Sequence, residues 1–506
     1  MAKISIITIF DGMRFAPAQL SAELLRDGHE PQVIVFKKQE QVRIEKLNAP
    51  DADFSYCDLS SVSYQIASHD CLTMEWGVYK KTKPHELRHL KTCLQDFNPD
   101  AIGITCLTSG MSLAEELIKF LRENFSQPIL WGGVAATVEP ERAIKLADLV
   151  CVGEGEEVIR EVARKLDAKE PINNIHGTWF KTSANEIIKN PKRESMPLDS
   201  IAIPVYDPKY YVQINGRLFN YQPAHLLTSE YAQSYAIMTQ RGCPFSCSFC
   251  IESFYQDEFG KKNSLKRRSP QLVLDELHIA KAQGFKGVSF FDDVFTVNPR
   301  WLKDFLPRYK KEIGLPFWCY TYPTTHNPEL LQQLKDAGCT AITMGIQSGS
   351  ERILTDVYTR PTKPNRVLVA AQELADSGIA QVAFDMIPRT DFDTEEDLKL
   401  TLNLLRQLPA RLKINPYSKL SVMPNYPINK KYGDKDLLAR SEHLSEDIYM
   451  YYFKLFYLVR SQTLDENQLS SIIANPHYRK DHALLNEYLP ELRESIDHQD
   501  PVAALG

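Results

Sequence analysis

Three cysteines within eight residues are the part of this sequence whose type and spacing point most directly to chemistry. Cys243, Cys247 and Cys250 follow an apolar run with strand character and share their loop with Gly242 and Pro244. A closed structural zinc site takes four ligands, so three thiols either find a distant fourth ligand or leave one metal position open for chemistry. An iron-sulfur cluster that is held by three cysteines keeps one iron open. The residues alone leave a buried thiol group without metal as the alternative.

The spacing of these thiols, with the aromatic Phe249 just before the third, resembles the cluster loop of the radical S-adenosylmethionine enzymes. The resemblance implies a [4Fe-4S] cluster on Cys243, Cys247 and Cys250, with Phe249 at the cofactor. S-adenosylmethionine would bind the open iron, and reduction would give a 5′-deoxyadenosyl radical. The cofactor supplies this chemistry while the protein positions it. An electron donor such as flavodoxin or ferredoxin is implied as a partner.

Polar residues at later strand ends resemble the family's cofactor contacts. Asp292 and Asp293 offer carboxylates for the methionine ammonium group. Gln347 and Ser348 lie in a stretch similar to the family's Gly-x-Glu-Ser-Gly-Ser, and an amide can bond ribose hydroxyls. Arg389 would contact a carboxylate. Taken alone, each of these residues is also compatible with a strand cap.

Three residues that follow the third strand of the same region are candidates for catalysis. Tyr320, Tyr322 and His326 would face the site, and a tyrosine and a histidine could relay a proton. Packing is the alternative for all three.

Upstream of the thiols, three strand ends are rich in glycine. Glycine lets backbone approach a ligand closely, and a following helix offers free N–H groups. In order, these strand ends resemble the cobalamin-binding domain of one radical S-adenosylmethionine subgroup, which implies cobalamin without a histidine below the cobalt. A domain that keeps the fold but binds substrate is the alternative. The residues expected at the cofactor are Thr105, Leu107, Thr108, Gly132, Gly133, Val134, Gly153, Glu154 and Gly155.

The elements that position these residues predict an α/β protein in four parts. Residues 1–170 alternate strands with helices, which is typical of a Rossmann-like, flavodoxin-like domain, with an insertion at 37–83. Residues 171–234 have no sustained period and predict a linker. Residues 235–425 predict a partial (β/α)6 TIM-like barrel, with the thiol loop after its first strand. Residues 426–506 predict a helical C-terminal region.

The predicted strands are short and apolar. In the first domain they are 3–9, 32–36, 101–106, 128–131 and 148–152. In the barrel they are 235–239, 287–291, 317–322, 341–346, 381–387 and 412–420.

Composition narrows the classes of partner. The formal charge of the 506-residue chain is -6, which argues against nucleic acid, and its one basic run, Lys261–Arg268, is expected to be a solvated loop. No apolar run is long enough to span a membrane, and the first residues lack a signal-peptide pattern. Seven of the ten cysteines are isolated, which does not indicate a disulfide framework. We therefore expect a cytoplasmic protein that acts on a small molecule.

Three hypotheses follow. The first is a cobalamin-dependent radical S-adenosylmethionine enzyme, in which methylcobalamin delivers a methyl group to an unactivated substrate carbon. The second is a radical enzyme of cyclisation, ring contraction or rearrangement, with or without cobalamin. The third is a non-catalytic redox or metal sensor that uses the three thiols.

Overall fold

The structure is a computed structural model that describes residues 1–9, 15–37, 40–43, 54–55, 62–67, 71–220, 233–432, 444–461 and 464–489. The chain divides into two compact units. The first consists of Met1–Ser60 and Gly77–Glu230, and the second of Ser61–Trp76 and Tyr231–Gly506.

The first part of the chain alternates strands and helices, as its sequence predicts. Its described elements are β1 (Lys3–Ile9), α1 (Phe15–Arg26), β2 (Glu30–Phe36), β3 (Glu40–Arg43), β4 (Phe54–Ser55), β5 (Val62–Ala67), β6 (Cys71–Lys80), α2 (Pro84–Phe97), β7 (Ala101–Cys106), α3 (Met111–Asn124), β8 (Ile129–Gly132), α4 (Gly133–Val138), α5 (Pro140–Ala143), β9 (Leu149–Cys151), α6 (Glu156–Asp167), β10 (Thr178–Lys181), β11 (Ile187–Lys189), β12 (Tyr211–Asn215) and β13 (Arg217–Asn220).

The first unit is built on a nine-stranded sheet in the order β11-β10-β9-β8-β7-β1-β2-β12-β13. Its central strands, from β9 to β12, run parallel. Side chains alternate between two buried layers, so that Ile7 packs with α2 and α3 while Ile6 packs with α1 and α6. Helices thus cover both faces of the sheet, and the predicted Rossmann-like class is confirmed.

The segment predicted as a linker contributes both edges of this sheet. β10 and β11 extend one edge, and β12 and β13 extend the other. The residues of β11 are exposed, so its sequence carries no alternation between a buried and a solvated face. Short edge strands of this kind give little pattern to read, which is why the sequence predicts no strand here.

The second part of the chain, Tyr231–Gly506, forms most of the second unit, to which β5 also belongs. Its described elements are β14 (Ser234–Ile237), β15 (Gln240–Arg241), α7 (Ile251–Phe259), α8 (Lys261–Ser264), β16 (Lys266–Arg267), α9 (Pro270–Ala282), β17 (Gly287–Phe290), α10 (Pro299–Glu312), β18 (Phe317–Thr321), α11 (Pro328–Ala337), β19 (Cys339–Gln347), α12 (Pro364–Asp376), β20 (Gln381–Met386), α13 (Glu395–Gln407), β21 (Lys413–Ile414), β22 (Tyr417–Ser418), α14 (Pro427–Tyr432), α15 (Glu446–Ser461), α16 (Glu466–Ala474) and α17 (Pro476–Lys480).

Six parallel strands form the partial barrel in chain order, β14-β17-β18-β19-β20-β21. Helices between them cover the outer face, where Phe290 of β17 packs against Phe305 and Tyr309 of α10. The last predicted strand, 412–420, is instead two short strands on either side of Pro416. Proline has no N–H to donate to a sheet ladder, so the strand is interrupted there. The predicted barrel is confirmed.

The C-terminal helix α15 is fastened to the loop that follows β20. Its Tyr449 donates a hydrogen bond to the carboxyl group of Asp393 at 3.0 Å. Glu446 at its start pairs with Arg389 at 2.6 Å. Most aromatic side chains of this helix are buried. No helix in the described part of the chain is long and apolar enough to cross a membrane.

Candidate active site

The loop that carries the three thiols is tied to the helix that follows it. The loop leaves β14 and ends at Cys250, which is the N-cap of α7. Gln256 of α7 donates an amide N–H to the carbonyl of Cys243 at 2.5 Å. The hydroxyl of Ser253 donates to the carbonyl of Cys247 at 2.7 Å. These bonds hold in place the backbone of the loop that carries the three thiols.

Gly242 sets the direction in which the chain enters this loop. Its φ is +86°, and a Cβ at this position would lie 2.2 Å from the carbonyl oxygen of Ser264. Only glycine tolerates both this backbone conformation and this close approach.

The three thiols lie in a largely buried environment. Burial raises the pKa of Cys243 to about 12 and also raises the pKa values of Cys247 and Cys250. Cys247 differs from the other two because a nitrogen of Arg360 lies 3.8 Å from its sulfur, and this guanidinium opposes the rise in its pKa. Metal coordination deprotonates a thiol, so a bound metal would remove the cost of burying these groups as thiolates.

The donor set fits a cluster better than a single ion. Among the described residues, no three His, Cys, Asp or Glu side chains converge on a point where one metal ion would bind. Two thiolates on one zinc ion would lie about 3.8 Å apart because each Zn–S bond is about 2.3 Å. A [4Fe-4S] cluster binds each thiolate at a separate iron, so its ligands stand farther apart.

Aromatic side chains of the thiol loop pack against two tyrosines. Phe249 contacts Tyr358 edge to face, with the ring centroids 4.7 Å apart. Phe245 stacks on Tyr322 at 3.8 Å, and the guanidinium of Arg360 lies 4.2 Å from the centroid of the same Tyr322 ring. Phe249, which is predicted to lie at the cofactor, therefore also anchors the loop by its contact with Tyr358.

The three predicted catalytic residues occupy different environments. Tyr322 is buried, and its hydroxyl accepts a hydrogen bond from Thr362 at 2.6 Å. His326 is buried against Thr321, with Nδ1 and Oγ1 2.9 Å apart, and burial lowers its pKa. Only Tyr320 is partly exposed. The structure therefore places Tyr322 and His326 in packing contacts, and only Tyr320 remains a candidate for contact with substrate.

Asp292 is engaged entirely by the protein. It is fully buried, and one oxygen accepts from the backbone N–H groups of Thr239 and Gln240, both at 2.7 Å. Its second oxygen accepts from the Thr239 hydroxyl at 2.6 Å. Asp292 therefore holds the chain where it enters the thiol loop, and its cofactor role stays a prediction.

Asp293 and Glu252 form a pair of carboxyl groups beside the thiols. Burial, followed by the charge of Asp292, raises the pKa of Asp293 to about 6. Burial and the charge of Asp293 raise the pKa of Glu252 to about 8. Glu252 was not predicted, although an acidic residue two positions after Cys250 is visible in the sequence.

Unpaired polar atoms mark the carboxyl end of β19. In the part of the chain that the structure describes, Oε1 of Gln347 and Nε of Arg360 are buried without a hydrogen-bond partner. Gln347 has a φ of +65°, and Arg360 also donates to the carbonyl of Gly345. The hydroxyl of Ser348 is buried and accepts from the N–H of Ser350 at 3.1 Å. Buried polar groups usually have partners, so the two orphaned atoms fit a polar cofactor. Arg360 lies beyond the predicted strand end, so the sequence did not single it out.

Arg389 lies in the contact with α15. Its guanidinium pairs with Glu446 and lies 4.7 Å from the centroid of the Tyr449 ring. Both of these contacts fasten helix α15, and the cofactor role of Arg389 stays a prediction.

The predicted cobalamin residues cluster at one edge of the first unit because β7, β8 and β9 are adjacent parallel strands. Gly133 has a φ of +88°, and a Cβ there would lie 2.5 Å from Oγ1 of Thr105. Leu107 is 47% exposed although it is apolar, whereas Thr108 is buried. Gly132 is the N-cap of α4, which opens the second loop.

The third loop is tied to the second by a single threonine. Thr137 donates to the carbonyl of Gly133 at 2.9 Å and accepts from the N–H of Gly153 at 3.1 Å. Glu154 accepts from Ser195 at 3.2 Å, and Gly155 is the N-cap of α6. Val134 is partly exposed. Exposed apolar surface beside backbone that lacks Cβ atoms fits a large, flat cofactor.

Two family models match the chain. The model described as the Radical SAM superfamily matches residues 237–405, which span the thiol loop and the end of β19. Residues 237–405 therefore form a radical S-adenosylmethionine domain. The model described as the B12 binding domain matches residues 88–163, which contain the three glycine loops. This radical S-adenosylmethionine enzyme therefore has the N-terminal domain of the cobalamin-binding subgroup.

Two curated relatives are similar along much of this radical S-adenosylmethionine enzyme. It is 28% identical to an uncharacterized methyltransferase of Pyrococcus horikoshii, over 66% of this chain and 69% of the relative. It is 27% identical to the anaerobic magnesium-protoporphyrin IX monomethyl ester cyclase of Cereibacter sphaeroides, over 62% of this chain and 50% of the relative.

One solved structure shares the fold over most of the chain. The radical S-adenosylmethionine methyltransferase TsrM from Kitasatospora setae, with cobalamin and a [4Fe-4S] cluster bound, matches with a TM-score of 0.61 at 15% identity. The match covers 85% of this chain and 78% of that chain. At this identity the likeness shows the fold alone.

The two domains define the cofactors. The radical S-adenosylmethionine domain uses a [4Fe-4S] cluster and S-adenosylmethionine, and the B12-binding domain uses cobalamin. The residues described above fit these groups, with three thiols in one loop, orphaned polar atoms at the end of β19 and glycine loops after β7, β8 and β9.

Proposed function

We propose that this radical S-adenosylmethionine enzyme methylates an unactivated carbon of a small molecule in a cobalamin-dependent reaction. The observation that carries the proposal is the presence of both family matches in one chain. Similarity to an uncharacterized methyltransferase supports the same reaction class.

Residues around the thiol loop would hold the first two cofactors. Cys243, Cys247 and Cys250 would ligate the cluster. Asp293 would accept the methionine ammonium group of S-adenosylmethionine, because Asp292 beside it is already bonded. The orphaned Oε1 of Gln347 would accept from a ribose hydroxyl.

When bound, the cluster and cobalamin supply reductive cleavage of S-adenosylmethionine to a 5′-deoxyadenosyl radical and a carrier for the methyl group. The protein contributes position and exclusion of water. Arg360 would orient the carboxylate of S-adenosylmethionine, since its Nε is buried and unpaired in the described structure. The loops at Thr105, Gly133 and Gly153 would hold cobalamin through backbone contacts.

Ring closure is the second candidate reaction. It is favoured by the 27% identity to the anaerobic cyclase, which extends over 62% of this chain. The two reactions differ in their products, since only methylation adds a carbon to the substrate.

Anaerobic reconstitution with iron, sulfide and cobalamin tests the proposal. S-adenosylmethionine with a trideuterated methyl group is added with reductant, and the products are analysed by mass spectrometry. We expect 5′-deoxyadenosine together with transfer of the labelled methyl group. Product without label would favour cyclisation, and no 5′-deoxyadenosine would favour a thiol sensor.

The proposal also includes an electron donor and a location in the cell. A one-electron donor such as flavodoxin or ferredoxin would reduce the cluster. A cytoplasmic location would keep the thiols reduced. The described residues contain no helix that could cross a membrane, which agrees with this location.

A further inference from the structure

One carboxylate in the barrel has no role in the chemistry described above. Asp385 lies near the carboxyl end of β20, in register with Gly345 of β19. Side chains alternate along a strand, and its neighbours Phe384 and Met386 are buried on the other face. Asp385 therefore projects into the barrel, one layer below Gln347.

Only neutral groups stabilise this carboxylate. Asn415 donates an amide N–H to Oδ1 at 2.6 Å, and Tyr320 also bonds to the carboxyl group. Burial raises the pKa of Asp385, and no cationic side chain of the described residues is among the groups that act on it. A carboxylate offers about four acceptor positions, so two donors leave capacity for a ligand.

Two other buried carboxylates of this unit pair with a cation, whereas Asp293, Glu252 and Asp393 have no ion pair among the described residues. Asp397 pairs with Arg352, and Glu276 pairs with Arg268 at 2.5 Å. A buried charge is costly unless it is paired, because the protein interior solvates it poorly. Carboxyl groups that burial shifts in pKa and that lack a cationic partner are candidates for functional sites.

A row of three aromatic side chains, which begins at Tyr320, lies beside Asp385. The rings of Tyr320 and Trp318 meet edge to face at 4.7 Å, and Trp318 lies 5.0 Å from Phe291. Trp318 is fixed by a hydrogen bond from Nε1 to Oγ1 of Thr343 at 2.9 Å. Tyr320 is partly exposed, so a ligand could reach its ring. Aromatic faces attract cations within about 6 Å.

We propose that Asp385 binds a protonated amine of the small-molecule substrate, with the ring of Tyr320 against the same cation. Asn415 and Tyr320 both donate to the carboxyl group, and these two bonds favour its ionised form against the effect of burial. The proposal names the substrate class of the barrel and rests on the proposed function. It identifies Asp385 as a specificity-determining residue.

Calorimetric titration tests this inference with two probes of the same shape. Phenethylamine, which is cationic at pH 7, and 2-phenylethanol, which is neutral, are titrated into the enzyme loaded with cluster, cobalamin and S-adenosylmethionine. We expect the amine to bind at least tenfold more tightly than the alcohol. In Asp385→Asn the two probes should bind alike. The control Asp336→Asn, an exposed carboxylate on α11, should keep the preference.

The result that would overturn the inference is a wild-type enzyme that binds both probes equally or binds neither at millimolar concentration. Persistence of the preference in Asp385→Asn would overturn it too. The comparison of probes on the wild type needs no variant, so it decides even if Asp385→Asn does not fold. Cleavage of S-adenosylmethionine is measured in the same wild-type sample. Cleavage without amine preference overturns this inference alone, whereas amine preference without cleavage overturns the proposed function alone.

Discussion

Cys247 is the thiol of the loop whose environment is most specialised. It is buried, and the guanidinium of Arg360 lies beside its sulfur. A positive group near sulfur stabilises thiolate, which is the form that binds iron. Arg360 also bonds to the carbonyl of Gly345, so one side chain joins the thiol loop to the end of β19.

Replacement of Cys247 by alanine should remove the cluster, because only two thiols would remain. We expect loss of the iron-sulfur absorbance after reconstitution and no 5′-deoxyadenosine above background. Cys93→Ala is the matched control, since Cys93 is a buried cysteine of α2 outside the loop. Full iron content in Cys247→Ala would contradict the assignment.

Gln347→Ala tests the contact with S-adenosylmethionine. Loss of the orphaned acceptor should weaken binding to the cluster-loaded protein about tenfold, which corresponds to about 1.4 kcal/mol. Equilibrium dialysis with labelled S-adenosylmethionine measures the change. Gln332→Ala, an exposed glutamine of α11, should leave the affinity unchanged. Equal affinities of the two variants would remove Gln347 from the proposed site.

Asp393 should make stability depend on pH. Burial raises its pKa from 3.8 to about 7. Between these values the unfolded chain ionises while the folded chain does not, so stability falls as pH rises, at about 1.4 kcal/mol per pH unit at most. Asp393→Asn keeps an acceptor for Tyr449 and should flatten this part of the profile. Thermal unfolding at pH 5 and pH 8, with Asp336→Asn as control, measures the difference; identical profiles would contradict it.

At the scale of elements, strand ends position both candidate sites. The thiol loop follows the first barrel strand, and the glycine loops follow three adjacent strands of the other sheet. Parallel strands bring their carboxyl ends to one edge, which is why ligands of such folds bind there. Gly133 is the position where this arrangement depends most on a single residue.

Gly133→Ala should impair cobalamin binding. The new Cβ would be strained at a φ of +88° and would press on Thr105. We expect at least a tenfold loss of affinity in a spectrophotometric titration with cobalamin. Gly28→Ala has a similar φ, +77°, with open space around the new Cβ, so it carries the backbone strain of about 1–2 kcal/mol without the clash. Equal losses in both variants would assign the effect to general destabilisation.

The elements also show what the sequence can and cannot predict. The central strand 3–9 was predicted with the bounds that the structure has, because its four isoleucines favour a buried strand. The sequence predicts none of the edge strands of 171–234, since β11 and β13 are mostly exposed and β10 and β12 are only four and five residues long. Motifs located Cys243 and Gln347, but Arg360 and Asp385 depend on which residues fold against them. A sequence also does not show that a polar side chain is already bonded within the protein, as Asp292 and Arg389 are.

At the scale of the whole molecule, charge bears on the class of substrate. The chain has a formal charge of -6, and its basic run is partly used within the fold. Arg268 pairs with Glu276, and Arg267 bonds to Gln240 and lies over the Trp301 ring. Two of the five cations of this run are therefore held by contacts within the fold.

We expect no salt-sensitive binding of RNA. Proteins that neutralise phosphates release counterions, so their affinity falls steeply with salt. Filter binding of a transfer RNA at low salt and at about 150 mM salt measures this. Micromolar binding that weakens strongly between the two conditions would contradict the expectation and favour an RNA substrate.

The strand β5 has a consequence for how the protein is made. Ser63 and Tyr64 of β5 pair with Ser418 and Tyr417 of β22, about 350 residues later in the chain. Ribosomes add roughly 5–20 residues per second, so β5 waits roughly 20–70 s for its partner. During this time the edge of β5 that does not pair with β6 is open to pairing with other nascent chains. A low growth temperature, or chaperones that shield this edge of β5, should therefore raise the yield of folded enzyme more than stronger transcription does.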